Sequence, residues 1–385
     1  VGLDLNFFNN RLNFVFDAYI KSSKDMLMSL QLPSYMGTQG NSSSALAAPK
    51  GNYGEIENKG IEIEVTGRPF VGDFEWETNL QFSFNRNKLK ALSGTDGANL
   101  VGYGQWNDVV SVSEIGKPLY NFYGYVVDGV YRDYDDILNS PKDKAHYPAD
   151  GVFDKSNTVW VGDLKYKDIS GPDGVPDGII DEHDRTSIGS PMPDFTFGWN
   201  NTFRYKDFDL SVFINGSYGN DVMNYLSINL TNMKSAWTNQ LNSVNDRAQL
   251  VPIDPNKVYP AGQHWYNDIE NVRVSNWKTK TPAARLNDPN DNDRISDRYV
   301  EDGSYIRLKN ITLGYTLRKQ WLRKLHLENL RIYCNIQNLC TITGYKGYDP
   351  EVGASTQDSS GLVYGLDGGR YPSPTVYSFG LNVSF

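Results

Sequence analysis

Along most of the chain, apolar and polar residues alternate. The clearest run is 74–84, FEWETNLQFSF, where Phe74, Trp76, Thr78, Leu80, Phe82 and Phe84 take one parity and Glu75, Glu77, Asn79, Gln81 and Ser83 the other. A period of two puts the two sets on opposite faces of a β-strand. The pattern recurs at 11–21, 60–68 and 208–217, and it ends the chain with Tyr377, Phe379, Leu381, Val383 and Phe385. Further strands are expected near 2–8, 105–114, 119–131, 195–204, 305–318 and 329–342, eleven in all. One stretch breaks the rhythm. Leu226, Leu230, Met233, Trp237, Leu241 and Val244 step by three and four, which predicts a helix inside a long loop.

The expected connections alternate between two kinds. Short ones sit at Asn9-Asn10, 70–73, 115–118, 205–207 and 319–328, and long ones at 22–59, 87–104, 132–194, 218–304 and 343–374. Compact soluble domains seldom carry several loops beyond about 15 residues. An outer-membrane β-barrel does so routinely, with tight turns on its periplasmic rim and long loops outside. The expected strands of about 9–14 residues also suit a tilted crossing. With 25 Tyr, 17 Phe and 8 Trp, 13% of the chain is aromatic, the composition that interfacial girdles require. The polar parity carries Glu, Asp, Asn and Arg, which fit a wet lumen better than the core of a β-sandwich. The expected fold class is therefore all-β, a transmembrane antiparallel β-barrel with long extracellular loops. Counted back from a last strand running inward, the first of the eleven also runs inward. Single-chain barrels have an even number of strands, so 1–385 is expected to be one part of a larger barrel. A chain opening directly on VGLDLNFF points the same way.

Charge and cysteines narrow the field. A formal net charge of −9 argues against nucleic acid as a partner. Cys334 and Cys340 share an expected strand, about 20 Å apart at roughly 3.3 Å per residue, so they are read as two free thiols. His146, His183, His264 and His326 are scattered, and the chain holds no HExxH, GxSxG or P-loop. Catalysis finds no support in these residues, and the chain is read as a non-enzyme.

Several collinear stretches resemble the SusC/RagA family of TonB-dependent outer-membrane transporters from Bacteroidetes. They are SDRYVEDGSYIRLKNITLGYTL (296–317), FTFGWNNTFRYKDFDLSVFINGSYGND (195–221), IENKGIEIEVTGRP (56–69), GYDPEV (347–352) and YSFGLNVSF (377–385). The resemblance covers essentially the whole chain and is to the C-terminal half of such a protein, whose plugged barrel has 22 strands. It implies import of a nutrient oligomer, glycan or peptide, through a barrel spanning the outer-membrane bilayer. A SusD-like lipoprotein would close over the loops, and TonB would act through a plug that, like the first half of the barrel, is not found in 1–385. Two rivals stand beside it: a siderophore or cobalamin receptor without a lid, and a non-transporting binding or adhesion barrel.

Two groups of residues are candidates for binding. In DLKYKDISGPDGVPDGIIDEHD (163–184), Asp177-Gly178 followed by Ile180, Asp181 and Asp184 resembles the second half of a calcium loop. Asp168 or Asp173 would supply the first ligand, so Asp168, Asp173, Asp177, Asp181 and Asp184 form the expected set for a structural Ca²⁺ or Mg²⁺. Trp106, Trp160, Trp237, Trp265 and Trp277 fall in or beside long loops, where aromatic faces suit sugar or peptide ligands or contact with a lid.

Overall fold

The computed structural model describes residues 1–29, 50–92, 99–105, 108–325, 327–354 and 361–385. Its frame is one nine-stranded sheet in which every strand pairs with its sequence neighbour in the wall. The strands are β1 (Gly2–Phe7), β2 (Leu12–Ser29), β3 (Lys50–Phe70), β4 (Phe74–Leu92), β5 (Phe195–Tyr205), β6 (Phe208–Tyr218), β7 (Tyr305–Thr316), β8 (Asn329–Thr343) and β9 (Val376–Ser384). All eight pairings are antiparallel. Within the described residues β1 and β9 are the two open edges, so the wall is an arc. No helix in those residues is long and apolar enough to cross a membrane.

Register decides which face meets lipid. Leu5, Phe14, Val65, Leu80, Trp199, Ile214, Leu308 and Cys340 stand opposite one another in succession, making one apolar row from β1 to β8. One residue along, Asn13, Thr66, Asn79 and Asn200 make a polar row on the other face. A single-residue slip in any strand would exchange the two, so each pairing constrains the next. The apolar face is exposed at Ile61, Phe84, Leu313, Ile332 and Phe379, as a lipid-facing surface must be.

Aromatic rings close this band at both ends. Phe70, Phe74, Trp76 and Phe203 pack on each other beside the short turns, while Phe82, Phe84, Phe195 and Tyr218 cluster at the opposite end. From Phe74 to Phe84 the strand covers about 33 Å at roughly 3.3 Å per residue, and a tilt near 45° lowers that to about 23 Å, close to the height of an outer-membrane apolar band. Two indoles on this face are paired with polar neighbours. Trp76 Nε1 donates to Asn201 Oδ1 at 3.1 Å and Trp199 Nε1 to Thr78 Oγ1 at 2.9 Å.

Short and long connections alternate around the arc as expected. At the first turn Asn9 and Asn10 take left-handed φ of 56° and 66°, which asparagine tolerates well. The wall differs from expectation in number. The described residues of 105–114 and 119–131, expected as wall strands, do not join it, leaving nine wall strands among the described residues in place of eleven and fewer than half of a 22-stranded barrel. Their strands, Val109–Ser113 and Asn121–Gly124, lie in a separate four-stranded sheet with Leu100–Tyr103 and Thr186–Gly189. Alternation reports one buried face and says nothing about what buries it. Removing two strands leaves the count odd, so β1 and β9 still run the same way. Conversely β2, β3 and β4 reach 18, 21 and 19 residues, beyond what a crossing needs, and project past the membrane.

The described residues of connections 93–194, 219–304 and 344–375 fold together into a cap seated on that projection. Backbone bonds tie Leu89 of β4 to Gly116 and Lys117. Unlike the wall, the cap has cores of its own: one around Val130, Trp160, Val161, Leu164 and Val272, a second around Phe122, Met223, Tyr225 and Tyr299. The expected helix at 226–244 is reduced to Leu226–Leu230, with a 3-10 turn at Asn242–Asp246. Side chains take its backbone partners instead. Gln240 Oε1 accepts from Met233 N, Asn232 Oδ1 accepts from Lys234 N, and Met233 has a left-handed φ of 52°. Cys334 and Cys340 are free thiols, as expected.

The register makes a sharp prediction. Leu80→Arg places a charge in the middle of the lipid-facing row and should cost about 2–4 kcal/mol, whereas Gln81→Arg, one residue along, should cost little. Folding equilibria of the full-length protein in lipid vesicles measure both, and equal costs would refute the assignment of faces.

Candidate functional site

The polar face of the wall and the underside of the cap enclose the first candidate site. Arg307 lies on that face, opposite Asn215 and Thr341. An arginine there needs partners, because its side chain is only 3% exposed. Connection 344–375 provides them: Arg307 Nη2 donates to Asp349 Oδ1 at 2.5 Å and Nη1 to Glu351 Oε2 at 2.7 Å, while Nε bonds Thr341 Oγ1 at 2.8 Å. Lys309 Nζ reaches the same Glu351 oxygen at 2.9 Å. Two stretches that carry the family resemblance, GSYIRLKN and GYDPEV, thus meet as a charge clamp folding the connection against the wall. Beside the clamp lies a cavity of about 710 Å³ lined by Tyr305, Lys309, Glu351, Tyr364, Arg370 and Tyr371, with Thr196 and Ser217 of the polar face at its edge. Sequence reading missed these residues. The available signal was an arginine between the apolar Ile306 and Leu308, on the parity that faces water.

A second cavity, about 770 Å³, opens within the cap among Asp108, Tyr125, Arg185, Lys234, Asp293 and Arg294. Arg185 lies over Tyr123 and Arg294 over Tyr125, with guanidinium-to-centroid distances of 5.2 Å in each case. Lys234 Nζ pairs with Asp293 Oδ2 at 2.5 Å. Alternating ring faces, cations and carboxylates suit a ligand rich in hydroxyls, amides or both charges.

The expected tryptophans do not form one site. Trp160 is 2% exposed in the cap core, so it is packing and not a ligand contact, because its neighbours exclude water from both ring faces. Trp265 packs against that same core. Trp237, 94% exposed, and Trp277 stand out from the cap surface. Trp106 lies outside the described residues.

The acidic loop 168–184 is closed chiefly by its own amides. Asp184, fully buried, accepts from Ile169 N, Ser170 N and Asp181 N. Asp168 Oδ2 accepts from Gly178 N at 2.6 Å and Asp177 Oδ1 from Ile179 N at 3.0 Å. Asp181 accepts from His183 N at 2.9 Å and holds Lys144 Nζ at 3.0 Å and His183 Nδ1 at 2.8 Å, which together, the amide foremost, keep its carboxyl well below the usual range, and Asp173 is exposed. The fit to a hard cation is partial. Asp168 Oδ1 is buried without a hydrogen-bond partner, but the side chains whose ligand atoms gather within 4.8 Å are Asp181, Glu182 and His183, not the expected five.

An ion cluster joins two parts of the cap. His146 Nδ1 lies 2.7 Å from Asp143 Oδ1 and its Nε2 3.1 Å from Asp291 Oδ2, while Arg294 Nη2 lies 2.7 Å from Asp143 Oδ2. Burial pulls His146 down, but the two carboxylates outweigh it and raise it to about 9. Burial likewise pushes Asp143 up, and His146 and Arg294 bring it to about 2.

Two predictions follow from these clusters. The His146 contribution is complete below its ordinary 6.5 and is lost as pH rises through about 9. That of Asp143 is complete above its ordinary 3.8 and is lost as pH falls through about 2. The unfolding midpoint of the cap should therefore drop between pH 6.5 and 9, and His146→Gln should flatten that drop; an unchanged profile in the variant sinks the assignment. Arg307→Met leaves Asp349 buried without its cation, a loss on the order of 3–5 kcal/mol. Limited proteolysis should then cut connection 344–375 in the variant and spare it in the parent.

Comparison with known proteins agrees with this architecture. No protein-family model matches the chain. Over its whole length it is 34% identical to TonB-dependent receptor P3 of Formosa agariphila, of which it covers 33%, and 26% identical to TonB-dependent receptor SusC of Bacteroides thetaiotaomicron, of which it covers 31%. It spans about a third of the length of these curated relatives. Among solved structures, the RagAB peptide transporter superposes on the entire chain with a TM-score of 0.67 at 21% identity, the chain covering 34% of it, which shows a shared fold. With its lipid-facing strand row and its cap, the chain is an integral β-barrel segment of the outer membrane that is similar over its whole length to about a third of the SusC-type TonB-dependent receptors.

Proposed function

We propose that the chain supplies nine wall strands and the extracellular cap of a transporter that imports a nutrient oligomer, an oligosaccharide or a peptide. The observation carrying this reading is the clamp and its cavity of about 710 Å³: a cored cap holds connection 344–375 against the water-facing wall beside a space lined by tyrosines and charges. Tyrosine faces stack on sugar rings and apolar side chains, and the charges bond hydroxyls and amides. An oligomer needs a wide lumen, and a wide lumen must be blocked when idle, which is the work of a plug driven by TonB. A SusD-like lipoprotein would close over the cap, where exposed Trp237 and Trp277 offer ring faces for contact. A chelate receptor without a lid and an adhesion barrel are the alternatives.

Uptake by cells carrying the full-length receptor tests the proposal. Labelled oligosaccharides and peptides should enter in a TonB-dependent manner, and paired Lys309→Ala and Tyr371→Ala changes should slow entry several-fold without lowering receptor abundance. Uptake confined to ferric chelates or cobalamin would select the first alternative, and surface binding without entry the second.

A further inference from the structure

Segment 287–294, NDPNDNDR, contains three deeply buried polar residues of the cap. Asn287, Asp288 and Asp291 take left-handed φ of 64°, 45° and 48°, and backbone bonds Asp291 N to Asp288 O and Arg294 N to Asp291 O curl the chain tightly. Asp288, Asn290 and Asn292 are 3%, 1% and 2% exposed, and they meet Asp163, which is fully buried. Asn292 Nδ2 donates to Asp288 Oδ1 at 2.6 Å and to Asp163 Oδ1 at 3.1 Å. Asn290 Nδ2 donates to Asn292 Oδ1 at 3.0 Å and to Leu164 O at 3.2 Å.

The hydrogen bonds do not exhaust this cluster. Asp288 Oδ2 and Asn290 Oδ1 are both buried without a partner. Folded proteins seldom leave such acceptors unpaired, because each loses its water and gains nothing in return. Charge is unbalanced as well. Arg285 Nη1 pairs with Asp163, and its Nη2 is spent on the carbonyls of Lys155 and Thr158. Among the described residues no lysine or arginine forms an ion pair with Asp288. Two buried carboxylates therefore share one guanidinium.

The spacing points to a ligand of definite chemistry. Asp-x-Asn-x-Asn is the arrangement by which calcium loops present their first three oxygen ligands. Asn290 Oδ1 is free to meet an ion as it stands, whereas Asn292 Oδ1 accepts from Leu164 N at 2.7 Å and from Asn290 Nδ2 at 3.0 Å, which fixes the Asn292 amide nitrogen between the two carboxylates. We propose that Asp163, Asp288 and Asn290 bind a Ca²⁺ ion, with the Leu164 carbonyl beside them and Asn292 bridging the two carboxylates. Carboxylate, amide and carbonyl oxygens of irregular geometry suit Ca²⁺ better than the octahedral demand of Mg²⁺. The ion is structural. Asp163 and Leu164 belong to connection 93–194 and Asp288 and Asn290 to 219–304, so it staples two of the three connections that build the cap. Acidic loop 168–184 is a separate place in the fold, and the test must tell the two apart.

The full-length receptor in detergent is dialysed against metal-free buffer, and bound calcium is counted by elemental mass spectrometry. Unfolding is then followed with EGTA and with added CaCl₂. The expected result is one retained calcium that Asp288→Asn abolishes and Asp168→Asn does not, with EGTA lowering the midpoint by several degrees and CaCl₂ restoring it. Should Asp288→Asn fail to fold, Asn290→Asp adds a ligand charge and should tighten calcium binding several-fold. A parent without calcium whose midpoint ignores EGTA overturns the proposal. So does calcium lost in Asp168→Asn and kept in Asp288→Asn, or an affinity that Asn290→Asp leaves unchanged.

Discussion

A bilayer offers no water to an unpaired amide, and that one constraint organises the wall. Every backbone group within the apolar band must find its partner on a neighbouring strand, which makes the sheet a single ladder with each register tied to the next. The row from Leu5 through Leu80 to Leu308 follows from that continuity. Side chains adapt to the same medium. Where a polar residue sits on the lipid face, as Asn201 does, a tryptophan indole bonds it and restores an apolar exterior.

Beyond the membrane the rules change, and the same chain behaves as a soluble protein. The cap collects Trp160, Val161, Phe122 and Met223 into dry cores, which the wall has no need to build because lipid covers its apolar face. Its polar residues bind one another in buried clusters that bridge distant connections, as His146 does to Asp143 and Asp291. Such bridges give long connections a fixed shape that short-range turns alone cannot supply. A vestibule made of rigid connections can hold cavities open, whereas slack loops would collapse into them.

The two regimes meet at Arg307. Its backbone belongs to the membrane ladder, and its side chain belongs to the cap through Asp349 and Glu351. A guanidinium only 3% exposed is tolerated there because its partners surround it, and in that position it orients a whole connection. Glu351 is shared with Lys309, so one carboxylate couples the clamp to the adjoining cavity.

The period of two by itself determined the barrel class, the two faces, the free cysteines on one strand and the alternation of short and long connections. Those properties depend on local geometry, in which each side chain's face follows from parity. Membership of the wall was not local. Residues 109–113 and 121–124 read as strands from their composition, and only the pairing of their backbones with each other places them in the cap. The helical spacing at 226–244 likewise lost to side-chain bonds from Asn232 and Gln240, which competed for its backbone. Among candidate site residues, the sequence told tryptophans from other residues but not buried Trp160 from exposed Trp237, because burial is a property of the neighbours. Charge partners such as Arg307 with Asp349, or Asp163 with Arg285, lie too far apart in the chain for any local pattern, and tertiary structure alone brings them together.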